Sequence, residues 1–157
     1  MTSSVVVRSR SAEETRRIGL ALGAAARPGD VLLLEGAFGV GKTVLVQGLA
    51  AGLGVEEAIT SPSFVLMVEH RGRLPLYHVD LYRLDGHLDD ELLDSLDDYQ
   101  DAGGVCAIEW PESLPPELRA GATTIRLTAV DDATRELQIE SPDERLPSAV
   151  RAAVGAA

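Results

Sequence analysis

Eight consecutive residues concentrate the chemistry of this sequence: Gly36-Ala37-Phe38-Gly39-Val40-Gly41-Lys42-Thr43. Their spacing is G-x-x-x-x-G-K-[ST], the phosphate-binding P-loop. Glycines let successive backbone N–H groups turn inward around phosphate oxygens. The helix N-terminus that follows adds favourable partial charge. Lys42 is placed to reach the β- and γ-phosphates, and the Thr43 hydroxyl to coordinate Mg²⁺. Thirteen of the 14 basic residues are Arg, and Lys42 is the only lysine. An N-K-x-D element that reads guanine therefore cannot exist here, which favours ATP by elimination.

A nucleotide-bound Mg²⁺ needs an acid at the end of a neighbouring strand. Asp80 closes the run Leu76-Tyr77-His78-Val79-Asp80, in which alternation puts Leu76, His78 and Asp80 on one face. The alternative is an Asp that caps a turn. Glu109 ends a second apolar run, Val105-Cys106-Ala107-Ile108, and is a candidate for the metal shell or for positioning the attacking water. Its alternative is a solvated strand-end carboxylate. Trp110, the only tryptophan, adjoins it and reads equally as core packing. Thr60 and Ser61 lie where nucleotide switches carry a hydroxyl-bearing loop, or form an ordinary Ser/Pro turn. Arg83 is either a cis arginine finger or a surface residue paired with nearby acids. His78 and Cys106 read as sheet residues rather than ligands, and the histidines lack metal-ligand spacing.

These groups need a particular frame. Ser11 and Glu14 form a capping box that opens an amphipathic helix over 12–26. Val31 to Leu34 is a continuous apolar run, as in a strand buried on both faces. A helix is expected over 42–53, ended by Gly54. Strands are expected over 64–69 and 74–80, joined through Arg71-Gly72, and a short one over 5–7. A helix is expected over 89–99, followed by a strand over 105–108 and an irregular stretch set by Pro111, Pro115 and Pro116. A second hairpin joins 123–129 to 135–140 about Asp131-Asp132. The pattern predicts one α/β domain over residues 1–140, a three-layer P-loop NTPase-like fold with a mixed, largely parallel sheet and antiparallel hairpins. Residues 141–157 show no clear core stripe and read as a marginal helix or a partly disordered tail.

Composition narrows the function further. The 157 residues carry 14 basic and 25 acidic side chains, a formal charge of −11. Such a surface repels phosphate backbones, so autonomous DNA or RNA binding is disfavoured. One cysteine excludes an intramolecular disulfide framework and a Cys-rich metal site. No apolar stretch reaches membrane-spanning length, and MTSSVVVRSRS lacks a signal-peptide core. The expected setting is soluble and cytoplasmic, without a membrane partner. Residues 85–101 hold eight acids and no Lys or Arg, either a solvated face or a docking surface for a basic partner.

Four segments taken in order, GAFGVGKT, TSPSF, HVDLYRL and IEWPE, resemble the bacterial TsaE (YjeE) family over about Arg16 to Glu140. The resemblance implies a small ATPase needed for threonylcarbamoyladenosine formation on tRNA, using ATP and Mg²⁺. It implies that Lys42 and Thr43 bind phosphate and Mg²⁺, that Asp80 completes the magnesium shell, and that Glu109 is needed for hydrolysis. It further implies that Trp110 supports the site and that Thr60 and Ser61 belong to a switch-like loop. The implied partners are TsaD, the transferase, and TsaB, its scaffold, with tRNA contacted mainly through them. Phe38, Val40, Val44 and Ser63 depart from the commoner family residues without removing a chemical group. The competing expectations are a small-molecule kinase and a nucleotide-sensing adaptor. The kinase is disfavoured because no basic residue lies between Arg83 and Arg119 to form an arginine-rich lid.

Overall fold

The computed structural model describes residues 2–59, 67–82 and 90–155. The elements are β1 (Ser3–Ser9), α1 (Ala12–Ala25), β2 (Val31–Glu35), α2 (Lys42–Gly52), β3 (Met67–His70), β4 (Leu76–Asp80), α3 (Asp90–Asp101), β5 (Val105–Glu109), a 3₁₀ turn (Pro111–Ser113), α4 (Pro116–Arg119), β6 (Thr123–Ala129), β7 (Arg135–Ser141) and α5 (Arg145–Gly155). They form one α/β domain on a seven-stranded sheet of order β1-β7-β6-β2-β5-β4-β3. The sheet is mixed: β6, β2, β5 and β4 run parallel, while β1–β7, β7–β6 and β4–β3 are antiparallel.

The central strands β2, β4 and β5 are apolar apart from His78 and the acids at their C-terminal ends, because both faces are covered. On one face Leu32, Leu34, Leu76, Val105, Ala107, Ile125, Leu137 and Ile139 lie beneath α1, α2 and α5. On the other, Leu33, Tyr77, Val79, Cys106 and Ile108 meet Leu96 of α3 and Leu114. In β6 and β7 buried Ile125, Leu127, Leu137 and Ile139 alternate with less buried polar residues, as expected where only one face is covered.

α1 begins as expected: the Ser11 hydroxyl accepts from the Glu14 N–H at 3.1 Å, and Glu14 Oε2 accepts from the Arg10 N–H at 2.6 Å. Its contact with α2 is set by glycine. A Cβ on Gly48 would lie 2.0 Å from the Arg16 carbonyl oxygen, and one on Gly19 would lie 2.2 Å from that of Leu45. The two backbones touch, which seats α2 directly against α1.

Two expectations are corrected. The segment beyond Ser141 is not a tail without a core stripe. Leu146 and Val150 of α5 are fully buried with α1 and the β1–β7 side of the sheet. Arg145 anchors the helix by donating to Asp30 Oδ1 and Oδ2 at 2.8 and 2.9 Å and to the Ala25 carbonyl at 2.8 Å. Two large apolar residues one turn apart made that stripe too short to read. The stretch after Pro111 is likewise not irregular throughout: Pro111 and Pro116 start the 3₁₀ turn and α4, where a missing N–H costs nothing.

Candidate functional site

β2 has parallel neighbours on both sides, β5 and β6, and the chain leaves its C-terminal end into the glycine-rich loop. Ligands of open α/β sheets bind in such a crevice. Gly39 and Gly41 have φ of +77° and +114°, values that side chains rarely adopt. Gly41 is also the N-cap of α2, which has no capping side chain and no acid in its first turn. The N–H groups of that turn are thus left for an anionic ligand.

One cavity of about 250 Å³ is lined by Phe38, Gly39, Gly41, Lys42, Thr43, Asp80, Glu109 and Trp110, among others. The two strand-end acids meet because Asp80 and Glu109 are paired in register across parallel β4 and β5. Paired residues of parallel strands share a face, here the face carrying α2. Asp80 Oδ1 accepts from the Tyr82 N–H at 2.9 Å, which orients the carboxylate.

Lys42 Nζ donates to the Gly36 carbonyl at 2.7 Å and lies 3.6 Å from the centroid of the Trp110 ring. Desolvation lowers its pKa, opposed by the charges of Glu109, Asp80 and Glu112. Trp110 is the only non-glycine described residue with positive φ, at φ 58° and ψ 55°. A bulky residue held there is strained by about 1–2 kcal/mol. The strain is local to the turn that brings the ring over Lys42. Trp110 therefore does not pack as a core residue. It joins Phe38 and Tyr82 in an aromatic group with centroids 4.6–4.9 Å apart, and Phe38 is 65% exposed.

Gly36, Ala37 and Val40 build the loop itself. The Arg135 guanidinium Nε donates to the Val40 carbonyl at 3.0 Å, tying the β6–β7 turn to it. A second cavity, of about 430 Å³, opens there beside Ser11, Thr15, Val44, Asp132 and Arg135, and shares Gly39, Gly41 and Val44 with the first. Nothing in the sequence pattern pointed to it, because its walls come from three distant segments. Thr60, Ser61 and Arg83 lie outside the described residues.

A magnesium ion fits this donor set in one specific way. No group of three or more His, Cys, Asp or Glu that could cage a metal occurs among the described residues. Mg²⁺ commonly takes one or two carboxylates and completes its shell with phosphate oxygens and water. The Thr43 hydroxyl with Asp80 and Glu109 meets that requirement. Among the described residues, no helix is long and apolar enough to cross a membrane.

The chain is similar to known proteins in sequence and in fold. The family model described as threonylcarbamoyl adenosine biosynthesis protein TsaE matches residues 9–137. A Treponema pallidum protein named tRNA threonylcarbamoyladenosine biosynthesis protein TsaE is 43% identical over 139 residues, covering 83% of this chain and 96% of that one. A Bacillus subtilis protein of the same name is 37% identical, covering 88% and 86%. The crystal structure of Bacillus subtilis YdiB superposes with a TM-score of 0.80 at 32% identity, covering 99% of this chain and 97% of that chain.

Proposed function

The chain belongs to the TsaE family, and from that premise we propose that it is the ATP-binding and ATP-hydrolysing subunit of a tRNA threonylcarbamoyladenosine machinery. The observation that supports this best is the cavity in which Lys42, Thr43, Asp80 and Glu109 meet at the N-terminus of α2.

The triphosphate lies along the loop, with its oxygens on the N–H groups before and after Gly41. Lys42 exchanges the Gly36 carbonyl for the β- and γ-phosphates. Thr43, Asp80 and Glu109 would hold a magnesium ion, which would neutralise charge on the phosphate oxygens. Glu109 orients water for in-line attack on the γ-phosphorus. The new P–O bond forms as the bond to the β–γ bridging oxygen breaks, leaving ADP and phosphate. The cavity beside Val44 and Arg135 receives the nucleoside half, since it leaves the loop on the side away from the acids.

No described arginine lines the cavity that holds the two acids. An arginine finger supplies roughly 10³ to 10⁵ in rate where one acts. With no arginine acting in cis, turnover by the isolated chain is slow, and the partners TsaD and TsaB alter it. At −11 the chain leaves tRNA contact mainly to those partners. It is not itself the transferase, and it acts in the cytoplasm.

The test is phosphate release by the purified chain, alone and with a TsaB–TsaD complex from the same source, beside Lys42→Ala. Low release alone, changed by the complex and abolished in Lys42→Ala, is the expected result. A complex that neither binds nor alters turnover overturns the reading.

A further inference from the structure

His78 is the most buried polar group near the site, with no exposed surface, and Glu109 is 3% exposed. His78 Nε2 lies 2.5 Å from Glu109 Oε2. The other ring nitrogen, Nδ1, is buried and has no hydrogen-bond partner among the described residues. A leucine or phenylalanine would fill this place in the sheet without leaving a buried polar atom unpaired, which costs about 1–3 kcal/mol. The imidazole is thus a poor choice for packing alone.

Register explains how the contact arises. In parallel β4 and β5, His78 is opposite Ala107, and Asp80 is opposite Glu109. All four side chains share the face that carries α2. Ala107 is small, which leaves room for the ring to lean toward the strand end and reach the carboxylate. With the ring proton on Nε2, the imidazole donates to Glu109 Oε2.

We propose that His78 is a positioning residue that acts through Glu109: its Nε2–H holds Oε2 and so fixes the rotamer that faces the cavity. This rests on the hydrolytic reading of Glu109 given above. The consequence is a division of labour along β4, with Asp80 lining the cavity directly and His78 setting the neighbouring strand's acid. Hydrolysis, not nucleotide affinity, should depend on His78, because it lies below the cavity and does not line it.

Three variants and one spectroscopic measurement decide this. Gln places its amide nitrogen near Nε2, Asn places it near Nδ1, and Leu has no donor. The expected result is that His78→Leu and His78→Asn lower kcat about tenfold to a hundredfold, with KM and Kd for ATP within about threefold. His78→Gln keeps most of the rate. In Glu109→Ala, adding His78→Leu costs no further rate. Independently of activity, the ligand-free chain has only three histidines to assign. Its His78 ring proton should be exchange-protected on Nε2 and shift in Glu109→Gln. Wild-type kcat in His78→Leu overturns the proposal, as does Gln performing no better than Asn or the ring proton residing on Nδ1. So do parallel losses of kcat, affinity and melting temperature in all three variants. If His78→Leu is insoluble, the Gln–Asn contrast and the ring signal still decide. If the wild-type chain shows no Lys42-dependent hydrolysis while the ring signal behaves as expected, the hydrolytic reading has failed and the assigned role falls with it, although the contact stands.

Discussion

The two faces of the sheet are built differently. One is sealed by α1, α2 and α5, with α1 and α2 in backbone contact through glycines. The other is covered by α3, from which only Leu96 is fully buried, and by Leu114 beyond the 3₁₀ turn. Between α3 and the strands a cavity of about 280 Å³ opens beside Met67, Val79 and Leu96. Asp80, Glu109 and His78 all sit on the sealed face, together with Lys42 of α2. The difference teaches that the closest packing lies beneath the glycine-rich loop and the two strand-end acids. The thin face carries six acids on α3 and none of these four groups.

The contrast can be broken at the helix crossing. Gly48→Ala would set a Cβ 2.0 Å from the Arg16 carbonyl, so α1 and α2 must separate. A stability loss of about 3 kcal/mol or more is expected, with nucleotide affinity falling alongside. Chemical denaturation and calorimetric ATP titration check both. An unchanged midpoint would mean that the sealed face is not rigid.

A matched pair of truncations sharpens it. Leu49→Ala, on the sealed face, should cost about 4 kcal/mol, while Leu96→Ala, beside existing space on the thin face, should cost about 2 kcal/mol. Equal losses in urea unfolding would remove the distinction.

A smaller effect is expected from pH. Burial lowers the Lys42 pKa, so the ammonium is lost at a lower pH than from an exposed lysine. ATP affinity should therefore decline on raising pH toward 10, before an ordinary lysine would titrate. Affinity flat to that point would place Lys42 in water rather than against Trp110.

Cys106 offers the finest probe, because its side chain belongs to the thin face. Burial pushes its thiol up to about 12, so reaction with a disulfide reagent requires opening of the structure. Labelling faster than global unfolding would show the thin face opening by itself, and labelling at the global rate would show both faces opening together.

Local signals made much of this legible. The glycine spacing, the capping box and the apolar run at Val31 to Leu34 each act over a few residues, and they identify β2, the loop and the two flanking helices. The acids Asp80 and Glu109 were readable because each ends an apolar run. Alternation even put His78 on the face of Asp80, although the pattern gave no reason to connect it with Glu109. α5 was missed because its buried stripe, Leu146 and Val150, is only one turn long.

What the sequence by itself determined is the chemistry: a phosphate loop, one lysine, strand-end acids, a strongly negative surface and a four-motif family resemblance. Those are properties of residue type and short spacing. Only the tertiary structure decided which acids meet, since register between β4 and β5 is set by sheet pairing between segments 29 residues apart (Asp80 and Glu109). It also decided that His78 lies against Glu109, that Trp110 covers Lys42 through a left-handed turn, and that a cavity opens beside Arg135. Each of these joins groups whose separation along the chain leaves no mark in local sequence, and each is held by packing that only the folded sheet supplies.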